Sequence, residues 1–150
     1  MNLLDVNVLI YAFRSDSPRH LEYRVWLLEQ LEGDVALGIS EQVLASVVRI
    51  TTHPRTFDPP SSFTEVSRFV QAIRDQPVCR LLRPSDRHWP LFLRLCETSQ
   101  ARGNLVTDAW FAALAIEHGC TWITADRDFA RFPGLTWRHP LDHERAVVNP

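Results

Sequence analysis

The sequence predicts an α/β domain with a mainly parallel sheet, flanked by helices on both faces. Short apolar runs alternate along the chain with longer segments whose apolar residues recur at helical spacing. Helix-start and helix-stop residues separate these segments, as Ser40 does before one and Gly119 after another. Such alternation is typical of parallel strands joined by helices. The length of 150 residues predicts one domain over residues 1–150.

The strands are predicted from the shortest apolar runs. The first begins at Leu3 and Leu4 and runs on through Val6 and Val8 into a turn. Further strands are predicted over 35–39, 78–82 and 121–124, with a short edge strand over 135–137.

The helices are predicted between these runs. The first follows a start signal at 16–18, ends at Gly33 and carries a stripe of apolar residues, namely Leu21, Val25, Leu28 and Leu31. Others are predicted after the caps Ser40 and Ser85 and over 63–73. The most apolar helix is predicted over 108–118, with Thr107 as its N-cap and Gly119 as its stop.

Composition narrows the class of protein. The net charge is −2, so any binding of nucleic acid must come from a local cluster of arginines. All 16 basic residues are Arg, which excludes mechanisms that need a lysine. The three cysteines lack zinc-ligand spacing and are expected to be free thiols in a reducing cytosol. No apolar run is long enough for a bilayer and no signal peptide is expected, so the prediction is a cytoplasmic protein without a membrane partner.

Acidic residues follow the predicted strands. Asp5 closes the first strand, Glu41 comes just after the second, and Asp126 and Asp128 follow the 121–124 strand. Asp108 stands in the first turn of the most apolar predicted helix. Each acid alone has a plain explanation as a helix cap or a turn residue. Because sites in open α/β sheets form at the carboxyl ends of strands, we expect these acids to meet and hold Mg²⁺ or, alternatively, Mn²⁺.

Three segments resemble the motifs of one family. The opening LLDVNVLI at 3–10 resembles the start of PIN domains, and VTDA at 106–109 resembles the helix that carries their third acid. The segment TADRDF at 124–129, with FPGL at 132–135, resembles the C-terminal signature. The order of these motifs is similar to that of VapC toxins over nearly the whole chain, and VRITTHPR at 48–55 resembles a mycobacterial subgroup of them.

The resemblance implies a PIN-like fold and a metal-dependent endoribonuclease. It also implies a homodimer, an RNA substrate and inhibition by a cognate VapB-type antitoxin. Asp5, Asp108 and Asp126 match the family's acids and are the expected metal ligands, although Asp128 is an alternative to Asp126. The family's second acid, a Glu, falls about where Ser46 stands.

Glu41, slightly earlier in the chain, is the candidate for that missing second acid. Arg49 and Arg55 lie near it in the sequence and are candidate contacts for RNA. Other arginines flank the C-terminal acids, namely Arg87, Arg102, Arg127 and Arg131.

Competing classes fit the sequence less well. Phosphotransferases of the haloacid-dehalogenase type need a second Asp where Asn7 stands, and generally a Lys. P-loop enzymes need Gly and Lys together, and hydrolases of the nucleophile-elbow type need G-x-S-x-G, which the sequence lacks. The irregular second acid leaves one alternative open, a non-catalytic PIN-fold module that binds RNA or protein.

Overall fold

The chain forms one mixed sheet flanked by α-helices. A computed structural model describes residues 1–142 and 146–150. The strands in this part of the chain are β1 (Asn2–Leu4), β2 (Leu37–Ile39), β3 (Cys79–Leu81), β4 (Thr121–Ile123), β5 (Thr136–Arg138) and β6 (Val147–Val148). The helices are α1 (Val6–Phe13), α2 (His20–Glu32), α3 (Glu41–Thr51), α4 (Phe63–Arg74), α5 (His88–Thr98) and α6 (Asn104–Glu117), and a 3-10 turn spans Arg127–Arg131.

The strand order places β1 at a point where the direction of winding changes. The order is β3-β2-β1-β4-β5-β6, with all neighbouring pairs parallel except β5 and β6. β1 therefore lies between β2, which follows it, and β4, which comes much later in the chain. In open α/β sheets a crevice forms at such a point, outside the carboxyl ends of the strands. Asp5 directly follows β1 and so stands at this crevice.

The predicted α/β class is confirmed, but two strand predictions were wrong. β1 ends at Leu4, and the residues from Val6 onward form α1. Val6 and Val8 suggested that the strand continues. They belong instead to α1, which is apolar on most sides and packs into the core, where Val8, Leu9 and Ile10 are buried. The strand predicted at the edge, β5, is an inner strand, since β6 pairs with it in the antiparallel sense.

Three of the four apolar residues predicted to bury the first long helix lie outside the core, and the fourth, Leu31, is partly buried against it. Leu21, Val25 and Leu28 are 73%, 55% and 46% exposed. α2 instead buries a face with two aromatic residues, on which Tyr23 and Trp26 lie. Aromatic side chains bury the largest apolar areas and so determine which face of α2 turns inward. The helix also begins later than predicted, at His20 after Arg19 in a left-handed conformation.

The most apolar helix begins earlier than predicted. α6 starts at Asn104, directly after Gly103, whose φ of +55° few other residues adopt. Thr107 is therefore inside the helix rather than its cap, and Asp108 lies in the second turn. The predicted stop at Gly119 is confirmed, with a φ of +61° and a hydrogen bond from the Cys120 amide to the Ala115 carbonyl.

The predicted serine caps had different outcomes. The Ser40 hydroxyl accepts a hydrogen bond from the Gln42 amide and caps α3, as predicted. Ser85 lies two residues before the cap position of α5, which is Arg87, and its hydroxyl accepts from the Arg87 amide at 3.2 Å while donating to Glu117. In the part of the chain that the structure describes, no helix is both long and apolar enough to span a bilayer.

Candidate functional site

A cleft of about 410 Å³ opens at the carboxyl ends of β1 and β4. Asp5, Asp108 and Asp126 line it together, although they lie far apart in the sequence. α1, α3 and α6 form its walls, and α3 contributes Ser46 and Arg49. The structure thus brings together three of the four acids that the sequence predicted.

Asp5 is held in place by the end of the sheet. Its amide donates to the Ile123 carbonyl of β4 at 3.0 Å, and its carboxylate caps α1 by accepting from the Val6 amide at 2.6 Å. The other carboxylate oxygen accepts from the Asn7 side chain at 2.7 Å and from the Thr124 hydroxyl. Burial, with smaller contributions from the nearby Asp108 and Asp126, raises the pKa of Asp5 to about 7, although the hydrogen bonds from Thr124 and Val6 lower it.

Asn7 and Thr124 connect the two strand ends, a role that the sequence reasoning missed. The Asn7 amide nitrogen also donates to the Thr124 hydroxyl at 3.1 Å, and its oxygen accepts from the Ala125 amide at 3.1 Å. The Thr124 hydroxyl accepts from the Asp126 amide at 2.9 Å. These bonds hold Asp5 and Asp126 on the same side of the cleft. The available signal was a polar side chain two residues after Asp5 and another two before Asp126.

Asp108 differs from Asp5 in having no partner. Its carboxylate makes no hydrogen bond or ion pair to any residue that the structure describes, and it is partly buried. Burial raises its pKa to about 6, and the charges of Asp126 and Asp128 add to this effect. An uncompensated carboxylate beside two others favours a bound cation.

The structure separates the two candidates for the fourth acidic position. Asp126 lines the cleft, and one of its carboxylate oxygens accepts from the Asp128 amide at 2.8 Å. Asp128 is exposed and pairs with Arg131 at 3.3 Å. The preference for Asp126 therefore agrees with the geometry of the cleft.

The structure does not bring Glu41 to the cleft, which corrects the predicted placement. Its carboxylate pairs with Arg74 at 3.2 Å and with Arg83 at 3.1 Å. Hydrogen bonds from Arg83 and Arg74 hold the pKa of Glu41 below its usual value. Glu41 begins α3, whereas the cleft is lined by Ser46 and Arg49 further along that helix. The position where the family's Glu was expected thus faces the cleft as a serine.

The donor atoms of the cleft suit a hard divalent cation. Mg²⁺ prefers oxygen ligands, and it usually binds one or two carboxylates directly while keeping several waters. Within the described residues, no three acid, His or Cys side chains are close enough to form a complete ligand set. Asp5, Asp108 and Asp126 would therefore have to hold such an ion partly through water.

Comparison with known proteins assigns the family. The model of the PIN domain matches residues 3–135. Ribonuclease VapC43 of Mycobacterium tuberculosis is 44% identical over 142 residues, which cover 95% of this chain and 97% of the relative. Ribonuclease VapC25 of the same species is 39% identical over 140 residues, covering 93% and 99% of the two chains. The chain belongs to the PIN-domain family, in its mycobacterial-type VapC branch.

A solved structure has the same fold as this chain. The chain superposes on one from the VapBC2 complex of Rickettsia felis, bound to a promoter DNA fragment, with a TM-score of 0.67. The aligned region covers 92% of this chain and 97% of the other, at 20% sequence identity. At that identity the likeness concerns the fold alone.

Proposed function

We propose that the chain is a metal-dependent endoribonuclease that acts as the toxin of a toxin–antitoxin pair. The observation that carries this proposal is the convergence of Asp5, Asp108 and Asp126 on one cleft, with Asp108 lacking any partner among the described residues. Relatives named as ribonucleases, aligned over nearly the whole chain, support the substrate class.

The proposed cofactor is Mg²⁺, with Mn²⁺ as an alternative. Asp5, Asp108 and Asp126 would hold it, directly or through water. A bound divalent ion in such a site stabilises negative charge on the phosphoryl group and lowers the pKa of a bound water. Thr124 and Asn7 orient the Asp5 carboxylate by donating to one of its oxygens, which prevents it from turning away from the cleft.

Ionisation of the acids is linked to binding of the cation. Without a cation, burial and mutual repulsion raise the pKa of Asp5 to about 7 and that of Asp108 to about 6, so Asp5 is partly protonated near neutral pH and both acids take up protons as the pH falls. A divalent ion must displace these protons, so its affinity should fall as the pH decreases below about 7.

The test compares two neighbouring acids. Asp126→Asn should lower RNA cleavage and Mn²⁺ affinity strongly, whereas Asp128→Asn makes the same chemical change outside the cleft and should lower both only slightly. Cleavage is measured on total RNA across a Mn²⁺ titration, and Mn²⁺ binding by calorimetry. A wild-type chain that binds no Mn²⁺ and cleaves no RNA would instead indicate a non-catalytic binding module.

We also propose that a VapB-type antitoxin binds this chain. The exposed stripe on α2, formed by Leu21, Val25 and Leu28, provides an apolar surface for it, and Leu21 and Val25 line a groove of about 670 Å³. Because the acid cleft favours cations, an Arg or Lys of the antitoxin should enter it in place of the metal. The homodimer implied by the family stays a prediction.

Coexpression with the product of the adjacent small reading frame tests this partner. Val25→Glu should abolish copurification, and Val35→Glu, which changes another exposed valine, should preserve it. Harmless high-level expression of the wild-type chain alone would contradict the assignment as a toxin.

A further inference from the structure

Arg49 is the one basic residue among the described residues that line the acid cleft. It lies on α3 together with Ser46 and Ile50, and the spacing of these three residues places them on one face of the helix. The side chain of Arg49 is exposed and makes no ion pair with any residue that the structure describes. It is therefore a cation beside three carboxylates that does not neutralise any of them directly.

The segment that carries Arg49 is firmly anchored. Val43 and Val47, on the adjacent face of α3, are fully buried. At the end of the helix the Thr51 hydroxyl donates to the Val47 carbonyl at 2.8 Å, and the Thr52 hydroxyl donates to the Val48 carbonyl at the same distance. The backbone of Arg49 thus has a fixed position relative to the cleft, while the side chain is available to a ligand.

The net charge of the cleft indicates what kind of ligand Arg49 binds. Three ionised carboxylates around one divalent cation leave an excess negative charge, which repels a phosphodiester that is itself an anion. Arg49 removes that excess on the α3 side of the cleft. A guanidinium binds phosphate oxygens through paired hydrogen bonds, and its positive charge persists at every physiological pH.

We propose that Arg49 binds the scissile phosphate of the RNA, on the side of the cleft where relatives of the wider family carry their second acid. This inference rests on the proposed function. The sequence had predicted the acid Glu41 on this wall of the cleft. In the proposal, the cation on this wall is Arg49, with Ser46 beside it. The metal and Arg49 would then approach the phosphate from different sides.

The first test measures opposite effects on RNA and on metal. Arg49→Gln should lower kcat/KM for RNA cleavage by about ten- to a hundredfold, the range for loss of a charge-assisted hydrogen bond. Its Mn²⁺ affinity should be unchanged or higher, because a positive charge has been removed from the cleft. Arg49→Lys should recover part of the loss. Arg68→Gln removes the same charge from an exposed position on α4, outside the cleft, and should act like the wild type.

The second test needs no turnover. In the Asp108→Asn background, where cleavage is expected to be blocked, binding of a random-sequence single-stranded RNA pool is followed by fluorescence anisotropy at several salt concentrations. Loss of one phosphate contact should reduce the slope of log affinity against log salt by roughly 0.7. Arg49→Gln should show this reduction, and Arg68→Gln should keep the full slope.

The two tests separate failure of this inference from failure of the proposed function. Equal cleavage and equal salt slopes in Arg49→Gln and wild type would overturn the role of Arg49. A joint loss of Mn²⁺ affinity and melting temperature in Arg49→Gln would also overturn it, because the residue would then be structural. A wild-type chain without Mn²⁺ binding or cleavage would contradict the proposed function, while the salt slopes would still test the contact with RNA.

Discussion

Asp108 and Glu117 lie on the same helix, but their carboxylates have different surroundings. One oxygen of Glu117 contacts His88 Nδ1 at 2.7 Å, and the other accepts from the Ser85 hydroxyl and amide. Burial alone would raise the pKa of Glu117, but the hydrogen bonds from Ser85 and His88 together lower it. Asp108 has no partner among the described residues, and its pKa is raised to about 6.

The difference distinguishes a structural acid from a functional one. A buried carboxylate with all its hydrogen bonds made stabilises the fold and keeps its charge. A carboxylate that is partly buried beside like charges destabilises the fold unless a cation binds there. Proteins retain such an arrangement mainly where it serves binding or catalysis, which is the role proposed for the cleft.

The largest expected effect follows replacement of the unpartnered acid. Asp108→Asn should reduce the rate of RNA cleavage at least about a hundredfold, or about 2.7 kcal/mol of transition-state stabilisation. Glu117→Gln should leave the rate per folded molecule unchanged. Both variants are assayed on one RNA across a Mn²⁺ titration. Cleavage by Asp108→Asn at the wild-type rate would remove the distinction between the two acids.

The next effect concerns stability and falls on Glu117. An amide offers one acceptor oxygen where the carboxylate offers two, so Glu117→Gln leaves either His88 or Ser85 without its partner. The free energy of unfolding should drop by about 2 kcal/mol. Glu97→Gln, an exposed change on α5, serves as the control in urea unfolding. Equal stability of both variants would show that the buried pair contributes nothing.

A smaller effect on stability, a gain where Glu117→Gln causes a loss, is expected for replacement of Asp108 in metal-free buffer. The pKa of Asp108 is about 6 in the folded chain and 3.8 in the reference state, so ionisation destabilises the fold increasingly from about pH 4 to 6 and fully above that. Asp108→Asn should therefore stabilise the chain at pH 8 by on the order of 1 kcal/mol, after allowance for solvent screening.

Thermal melts in EDTA at two pH values check this prediction. The gain of Asp108→Asn over wild type should be present at pH 8 and mostly lost near pH 4, where the acid is protonated in the folded chain and only about half ionised in the unfolded one. Added Mn²⁺ should reverse the order at pH 8, since only the wild type binds it well. A gain that persists at low pH would have a cause other than charge.

The sequence predicted two acids of the cleft from their positions shortly after a strand. Asp5 and Asp126 follow β1 and β4, and the parallel pairing of these strands brings both acids to one edge of the sheet. Asp108 was placed in the correct cleft although the start of α6 was misjudged, because Gly103 allows the helix to begin one turn earlier. The end of a strand is thus an informative signal, although Glu41, which follows β2, does not line the cleft.

The face that a helix turns inward was less predictable. Spacing alone suggested that Leu21, Val25 and Leu28 are buried, but α2 packs through Tyr23 and Trp26 instead. This choice depends on tertiary contacts, such as that between the Tyr23 hydroxyl and His139 at 3.2 Å, which a local pattern does not contain. The contribution of Thr124 was missed for the same reason, since its partner Asp5 is distant in the sequence.

The smallest effect is expected at Glu41, whose assignment had the same weakness. Its position two residues after the end of β2 resembles that of Asp126, three residues after the end of β4, but a residue in the first turn of a helix can face any side. Glu41 faces Arg74 and Arg83, which satisfy its charge at the surface.

Glu41→Gln should therefore leave RNA cleavage and Mn²⁺ affinity unchanged. It should lower the melting temperature slightly at low salt and not at high salt, because exposed ion pairs are weak and screened. Arg83→Gln should reproduce this small salt-dependent loss, since it breaks one of the same ion pairs. If Glu41→Gln abolished cleavage while its melting curve stayed unchanged, the acid would act in the cleft after a rearrangement of α3, and the contrast between satisfied and unsatisfied carboxylates would not identify the site.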